Sequence, residues 1–87
     1  MKKEDFVFIF PSYAVDFLNY YSVIKNRSDL TVIEYANDLQ TFFRFLKVIR
    51  GNVAKETPFE EITVNDLSLD DIANITLSDA YMFLVYC

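Results

Sequence analysis

The sequence predicts an all-α domain, and three observations carry that expectation. One glycine and two prolines in 87 residues are too few for a sandwich or barrel, which needs turn signals at roughly 8–12-residue spacing. Apolar residues recur at i, i+3, i+4 and i+7 through two long stretches, the signature of helices with one buried face. Capping residues stand where those stretches begin. The length allows one domain or part of one. With 53% hydrophobic and 24% charged residues, the balance is that of a globular chain, not a disordered one.

Residues 1–10 read as an N-terminal apolar arm. Pro11 biases Phe10 toward an extended backbone. The run Phe6-Val7-Phe8-Ile9-Phe10 is either extended or tucked onto the core, because five apolar residues in a row do not stay in water without cause. Ser12 is placed to cap a helix from about Tyr13 to Lys25, with Ala14, Val15, Phe17, Leu18, Tyr21 and Ile24 as its stripe. A longer helix starts after Ser28. Its hydroxyl can accept from the Thr31 N–H, and Asp29 lies in the first turn where the helix dipole favours an anion. Val32, Tyr35, Ala36, Leu39, Phe42, Phe43, Leu46 and Ile49 keep the helical period to Gly51, a natural residue for the position past a helix end. The outward face of this helix reads Leu30, Glu34, Asn37, Thr41 and Arg44.

Residues 52–75 read as a connector with short helical turns. Thr57-Pro58-Phe59-Glu60 has the form of a capping box with proline at the first helical position. Ile62–Leu67 and Leu69–Ile72 suggest single turns. Thr76 then opens a third helix with Leu77, Ala80, Tyr81, Leu84 and Cys87 on its apolar face. No stop signal follows, so the chain is expected to be a piece of a longer protein.

Charge limits the functions available. The net charge is −5, whereas a nucleic-acid binder is usually basic. Its distribution is uneven, however. Residues 25–55 carry Lys25, Arg27, Arg44, Lys47, Arg50 and Lys55 against three carboxylates, a net of +3, while residues 56–87 hold seven carboxylates and no cation. The middle of the chain is therefore the one plausible surface for a polyanion. There is no histidine and one cysteine, which leaves no disulfide framework and no pairing of nucleophile and base for a stand-alone enzyme. Asp66, Asp70, Asp71 and Asp79 lack the spacing and glycine of a calcium loop, and no cofactor is implied. No stretch is long enough to span a membrane, and the N-terminal apolar run is too short for a signal peptide. A cytoplasmic protein is expected.

The long helix carries a pattern with a precedent. Ser28-x-x-Thr31-x-x-x-Tyr35-x-x-Asp38-Leu39-x-x-Phe42-x-x-Phe45-Leu46 resembles the N-terminal core-binding domain of tyrosine recombinases, the phage-integrase family. Phe17-Leu18 and Tyr20-Tyr21 are similar to the family's first helix. Ile62-Thr63-x-x-Asp66-Leu67 and residues 77–87 are similar to its third helix and lead-in. The resemblance covers residues 11–87. It implies a small SAM-like helical bundle, here stopping before its fourth helix, that forms half of a clamp around duplex DNA. Strand exchange through a nucleophilic tyrosine would belong to a separate catalytic domain, none of whose residues is recognisable here.

The resemblance and the charge map together point to Lys25, Arg27, Ser28, Thr31, Asn37, Thr41 and Arg44 as DNA-binding residues. Lysine and arginine suit phosphates, a helix N-terminus favours an anion, and asparagine can pair with adenine. Each also has a structural reading: Ser28 and Thr31 as a cap, the cations as a solvated surface. The implied partners are double-stranded DNA and other recombinase subunits, with no small-molecule substrate. Without its fourth helix the bundle would leave apolar surface open, so a homodimer is expected. The competing reading is a helical protein–protein interaction module with no nucleic acid involved.

Overall fold

The computed structural model describes residues 1–74. A 3-10 turn at Lys3–Asp5 leads into α1 (Phe6–Ile9), followed by α2 (Ser12–Ile24), α3 (Asp29–Ile49), a 3-10 turn at Phe59–Glu61, and α4 (Leu69–Ala73). Among the described residues there is no strand, and the all-α expectation holds. The helix expected over residues 77–87 lies outside the described residues.

Helix α3 runs back along α2. Tyr21 meets Tyr35 at 5.0 Å between ring centroids, and Tyr13 meets Phe43 at 6.5 Å, so residues early in one helix face residues late in the other. Between them lies the core of Phe6, Phe10, Ala14, Leu18, Val32, Ala36, Phe43, Leu46, Val64 and Leu67. Leu18, Val32 and Leu46 are fully enclosed, and burying a side chain of that size contributes about 1.5–3 kcal/mol. The N-terminal segment joins the same core. It is a helical turn, with Phe6 edge-on to Phe10 at 5.9 Å and Phe10 edge-on to Phe43 at 6.3 Å. Phe10 itself is extended, with ψ 153°, as the following proline requires.

The caps differ from expectation in two places. Pro11, not Ser12, is the N-cap of α2, and Ser12 makes no capping bond. The extended Pro11 carbonyl receives the N–H groups of Ala14 and Val15 at 3.0 and 3.1 Å, so the helix starts one residue earlier. The box at Thr57 does not form either. Pro58 is the cap of a single 3-10 turn and makes no side-chain capping bond. A capping box exists instead at Ser68, whose hydroxyl accepts from the Asp71 N–H at 3.2 Å while its own N–H donates to the Asp71 carboxylate at 2.9 Å.

The apolar stripe of α3 is wider than its period suggests. Phe45, on the side away from the main core, is 3% exposed, whereas Tyr35 and Ile49 in the stripe stay open to solvent. The connector returns along the second half of α3, where Arg44, Lys47 and Arg50 bond to it. The stripe of α2, by contrast, is narrower than expected, with Phe17 and Ile24 exposed.

Candidate nucleic-acid interface

The corner between α2 and α3 is set by backbone geometry. Helix α2 ends with Asn26 in the left-handed region, φ 51°. The Arg27 N–H then reaches back to the Ser22 carbonyl at 3.2 Å, and the Asn26 N–H to Val23 at 3.3 Å. This is a helix stop built on asparagine, the residue that tolerates this conformation best after glycine. It turns the chain so that Ser28 is extended and caps α3: its Oγ accepts from the Thr31 N–H at 3.2 Å and donates to Thr31 Oγ1 at 2.9 Å.

Lys25, Arg27 and Ser28 are all exposed at this corner, beside the N-terminus of the 21-residue α3. The Arg27 guanidinium carbon lies 5.8 Å from the centre of the Tyr21 ring, an attraction worth about 0.5–1 kcal/mol at an exposed site. Tyr21 also stacks on Phe17 at 6.4 Å, so the arginine rests on an ordered aromatic group. The structure thus gathers Lys25, Arg27, Ser28 and Thr31 in one place.

One further cation stands there that no local pattern singles out. Lys3 Nζ is 3.2 Å from Asp29 Oδ1 and 3.2 Å from Ser22 Oγ, tying the N-terminal turn to the end of α2 and the start of α3. A contact spanning 26 residues has no periodicity to announce it.

The rest of the predicted site divides. Asn37 is exposed, and the Thr41 hydroxyl donates to the Asn37 carbonyl at 3.0 Å, a bond back to the preceding turn. Arg44 differs from the expectation of an outward side chain. Its Nε donates to the Ile62 carbonyl at 2.9 Å and its Nη2 to the Glu60 carbonyl at 2.7 Å. Lys47 is 7% exposed and donates to the Thr63 carbonyl at 2.6 Å and to Asp66 at 2.9 Å. Arg50 donates to the Asp71 carbonyl. Three cations one helical turn apart therefore hold the acidic connector against α3. Five of the six cations in the basic middle form two groups in space, Lys25 and Arg27 at the open corner and Arg44, Lys47 and Arg50 turned onto the chain itself, while Lys55 stands exposed after α3.

Two titrating groups are shifted. The Asp71 carboxyl is held below its usual range, first by the Ser68 backbone N–H, then by the Ser68 hydroxyl, with Arg50 and Lys47 adding to it. Burial pushes the Tyr13 phenol up, and the Asp71 charge adds to this. Neither lies at the corner. Among the described residues no group of three potential metal ligands forms, and no helix is long and apolar enough to cross a membrane.

The fold is a small all-α bundle, and comparison with known proteins places it in a family. The family described as phage integrase, N-terminal SAM-like domain, matches residues 14–87, and the chain belongs to that family. The tyrosine recombinase XerC of Caldanaerobacter subterraneus subsp. tengcongensis is 44% identical over 77 residues, which cover 88% of this chain and 22% of that recombinase. The chain thus spans about a fifth of the length of this relative. No solved structure matches it.

Proposed function

We propose that this chain is the DNA-binding core-binding domain of a site-specific tyrosine recombinase, clamping duplex DNA while a separate catalytic domain performs strand exchange. Family membership supports the recombinase reading. The observation that carries the DNA face is the α2–α3 corner, where exposed Lys25 and Arg27 flank the Ser28-capped N-terminus of α3. Free N–H groups and the helix dipole favour a phosphate at such an end, and Ser28 and Thr31 supply hydroxyls beside it. Asn37 and Thr41, on the outward face of α3 with Leu30 and Glu34, would add contacts further along the duplex. Arg44 belongs to the proposal through its Nη1, since Nε and Nη2 already bond to the connector. The partners would be double-stranded DNA and other recombinase subunits, in the cytoplasm.

Duplex binding by the full-length protein across a salt series tests this reading. Phosphate contacts give an affinity that falls steeply with salt. Changing Lys25 and Arg27 together to Glu is expected to weaken binding strongly and flatten that slope while leaving helix content unchanged. No binding, or binding indifferent to salt, would favour the protein-interaction module instead.

We also propose that the 87-residue chain forms a homodimer. Phe6 and Phe10 are buried in their own chain, so the contact would use the side chains left exposed on the N-terminal turn, Val7 and Phe8. Sedimentation at micromolar concentration is expected to give twice the 10.2 kDa chain mass. A monomer would remove the dimer.

A further inference from the structure

We propose that residues 77–87 seat as a helix in the apolar groove between α2 and α3, so that this face of the bundle is covered by the chain's own segment. The inference does not depend on the DNA reading. The groove has a volume of about 320 Å³ and is lined by Tyr13, Phe17, Tyr35, Leu39, Phe42 and Ile72, among others. At one end Tyr13 meets Phe43. At the other Phe17 and Tyr35 stand 5.7 Å apart and remain 44% and 39% exposed. A contiguous apolar patch of this kind marks a docking surface.

Three observations name the occupant. The first is where the described chain leads. Ile72, in α4, is one wall of the groove, and the Asp71 charge reaches the Tyr13 phenol. The chain therefore leaves α4 at the Tyr13 end. The second is the segment itself. Thr76, Ser78 and Asp79 aside, every residue from Ile75 to Cys87 is apolar or aromatic, and a helix that is apolar all round is a buried one. Leu77, Ala80, Tyr81 and Leu84 fall at i, i+3, i+4 and i+7. A helix over residues 77–87 would be about 16 Å long, and from Tyr35 to Phe42 the groove follows α3 for about 10 Å. The third is the Tyr13 hydroxyl, which is buried and has no hydrogen-bond partner among the described residues. Buried hydroxyls normally find one. The hydroxyls of Thr76 and Ser78 come first in the segment, at this end of the groove, and the apolar residues follow toward Phe17 and Tyr35. Chain direction, polar start and apolar continuation thus agree in one orientation.

Nuclear Overhauser contacts in the 87-residue chain test this. Leu77 is expected to give contacts to Tyr13 and Ile72, and Leu84 to Phe17 and Tyr35. A sample that mixes isotope-labelled and unlabelled chains separates contacts within one chain from contacts between two. Contacts found only between chains would put a second copy's segment in the groove. That result overturns the proposal, as does the reverse order along the groove, or Phe17 and Tyr35 rings with no contact from residues 77–87. Leu84→Asp is expected to abolish the contacts to Phe17 and Tyr35 while Phe10 keeps its contact with Phe43; groove contacts that survive this change also overturn it. Should the variant lose the Phe10–Phe43 contact as well, the unmodified chain decides.

Discussion

Lys47 shows how one residue's surroundings decide its meaning. At the end of a helix a lysine is ordinarily a solvated partner for the dipole. Here it is buried and bonded to a carbonyl and a carboxylate of the connector. Lys47→Ala would leave the Thr63 carbonyl without that donor. The expected loss is about 1–3 kcal/mol in denaturant unfolding, against about 0.5 kcal/mol or less for exposed Lys55→Ala. Backbone conformation can be tested at the same scale. Gly51 has φ +70° and open space where a Cβ would stand. Gly51→Ala therefore meets no clash and costs only the left-handed conformation, about 1–2 kcal/mol. Asn26→Gly, at φ 51°, is expected to be neutral or slightly stabilising, since glycine adopts that conformation without the Cβ penalty.

At the scale of elements, the N-terminal turn and the connector act as parts of the bundle. Phe6 is 2% exposed and Phe8 is 78% exposed two residues on. Phe6→Ala is expected to cost about 3–5 kcal/mol, and Phe8→Ala no more than about 0.5; equal losses would mean that the turn does not dock as described. The start of α4 carries a pH signature. Because hydrogen bonds depress the folded pKa of Asp71, its contribution is fully present above the unfolded value of about 3.9 and is lost as pH falls through the folded one. A thermal unfolding series into acid should show this decline, and Asp71→Asn should reduce it. Much of this level was legible in advance. The Ser28 cap, the period of α3 and the Gly51 stop are local signals, and they set α3 to within a residue. What the sequence could not show is what lies against each helix. Phe45 is off the apolar period and is buried all the same. Arg44 shares a face with Asn37 and Thr41, but the connector covers only its end of that face. The corner cations were readable from charge and capping; Lys3 was not, because its partner is fixed only by the fold.

The molecule as a whole segregates its charge and then partly recombines it. Residues 56–87 carry seven carboxylates without a cation, and the described part of that stretch lies against α3 through Arg44, Lys47 and Arg50. The acidic segment thus engages the basic residues nearest it and leaves Lys25 and Arg27 to solvent at the other end of the helix. A net charge of −5 is compatible with a local phosphate site for this reason: a field is set by where charges stand and is screened within about 10 Å at ordinary salt.

That division has a consequence for digestion. Trypsin cuts after lysine and arginine but needs an exposed, locally extended backbone. Arg44 and Lys47 lie inside a helix with their side chains bonded to the connector. Lys25 and Arg27 lie in the α2–α3 turn, and Lys55 in the exposed stretch after α3. Brief treatment of the native protein should therefore nick it first after Lys55 and at the Lys25–Arg27 turn, with α3 recovered whole. Early cuts after Arg44 or Lys47 would mean that the connector opens readily, and that the three-cation clasp is weaker than its geometry indicates. Bound duplex should protect the turn while leaving Lys55 cleavable, so the same digest maps the interface one peptide bond at a time.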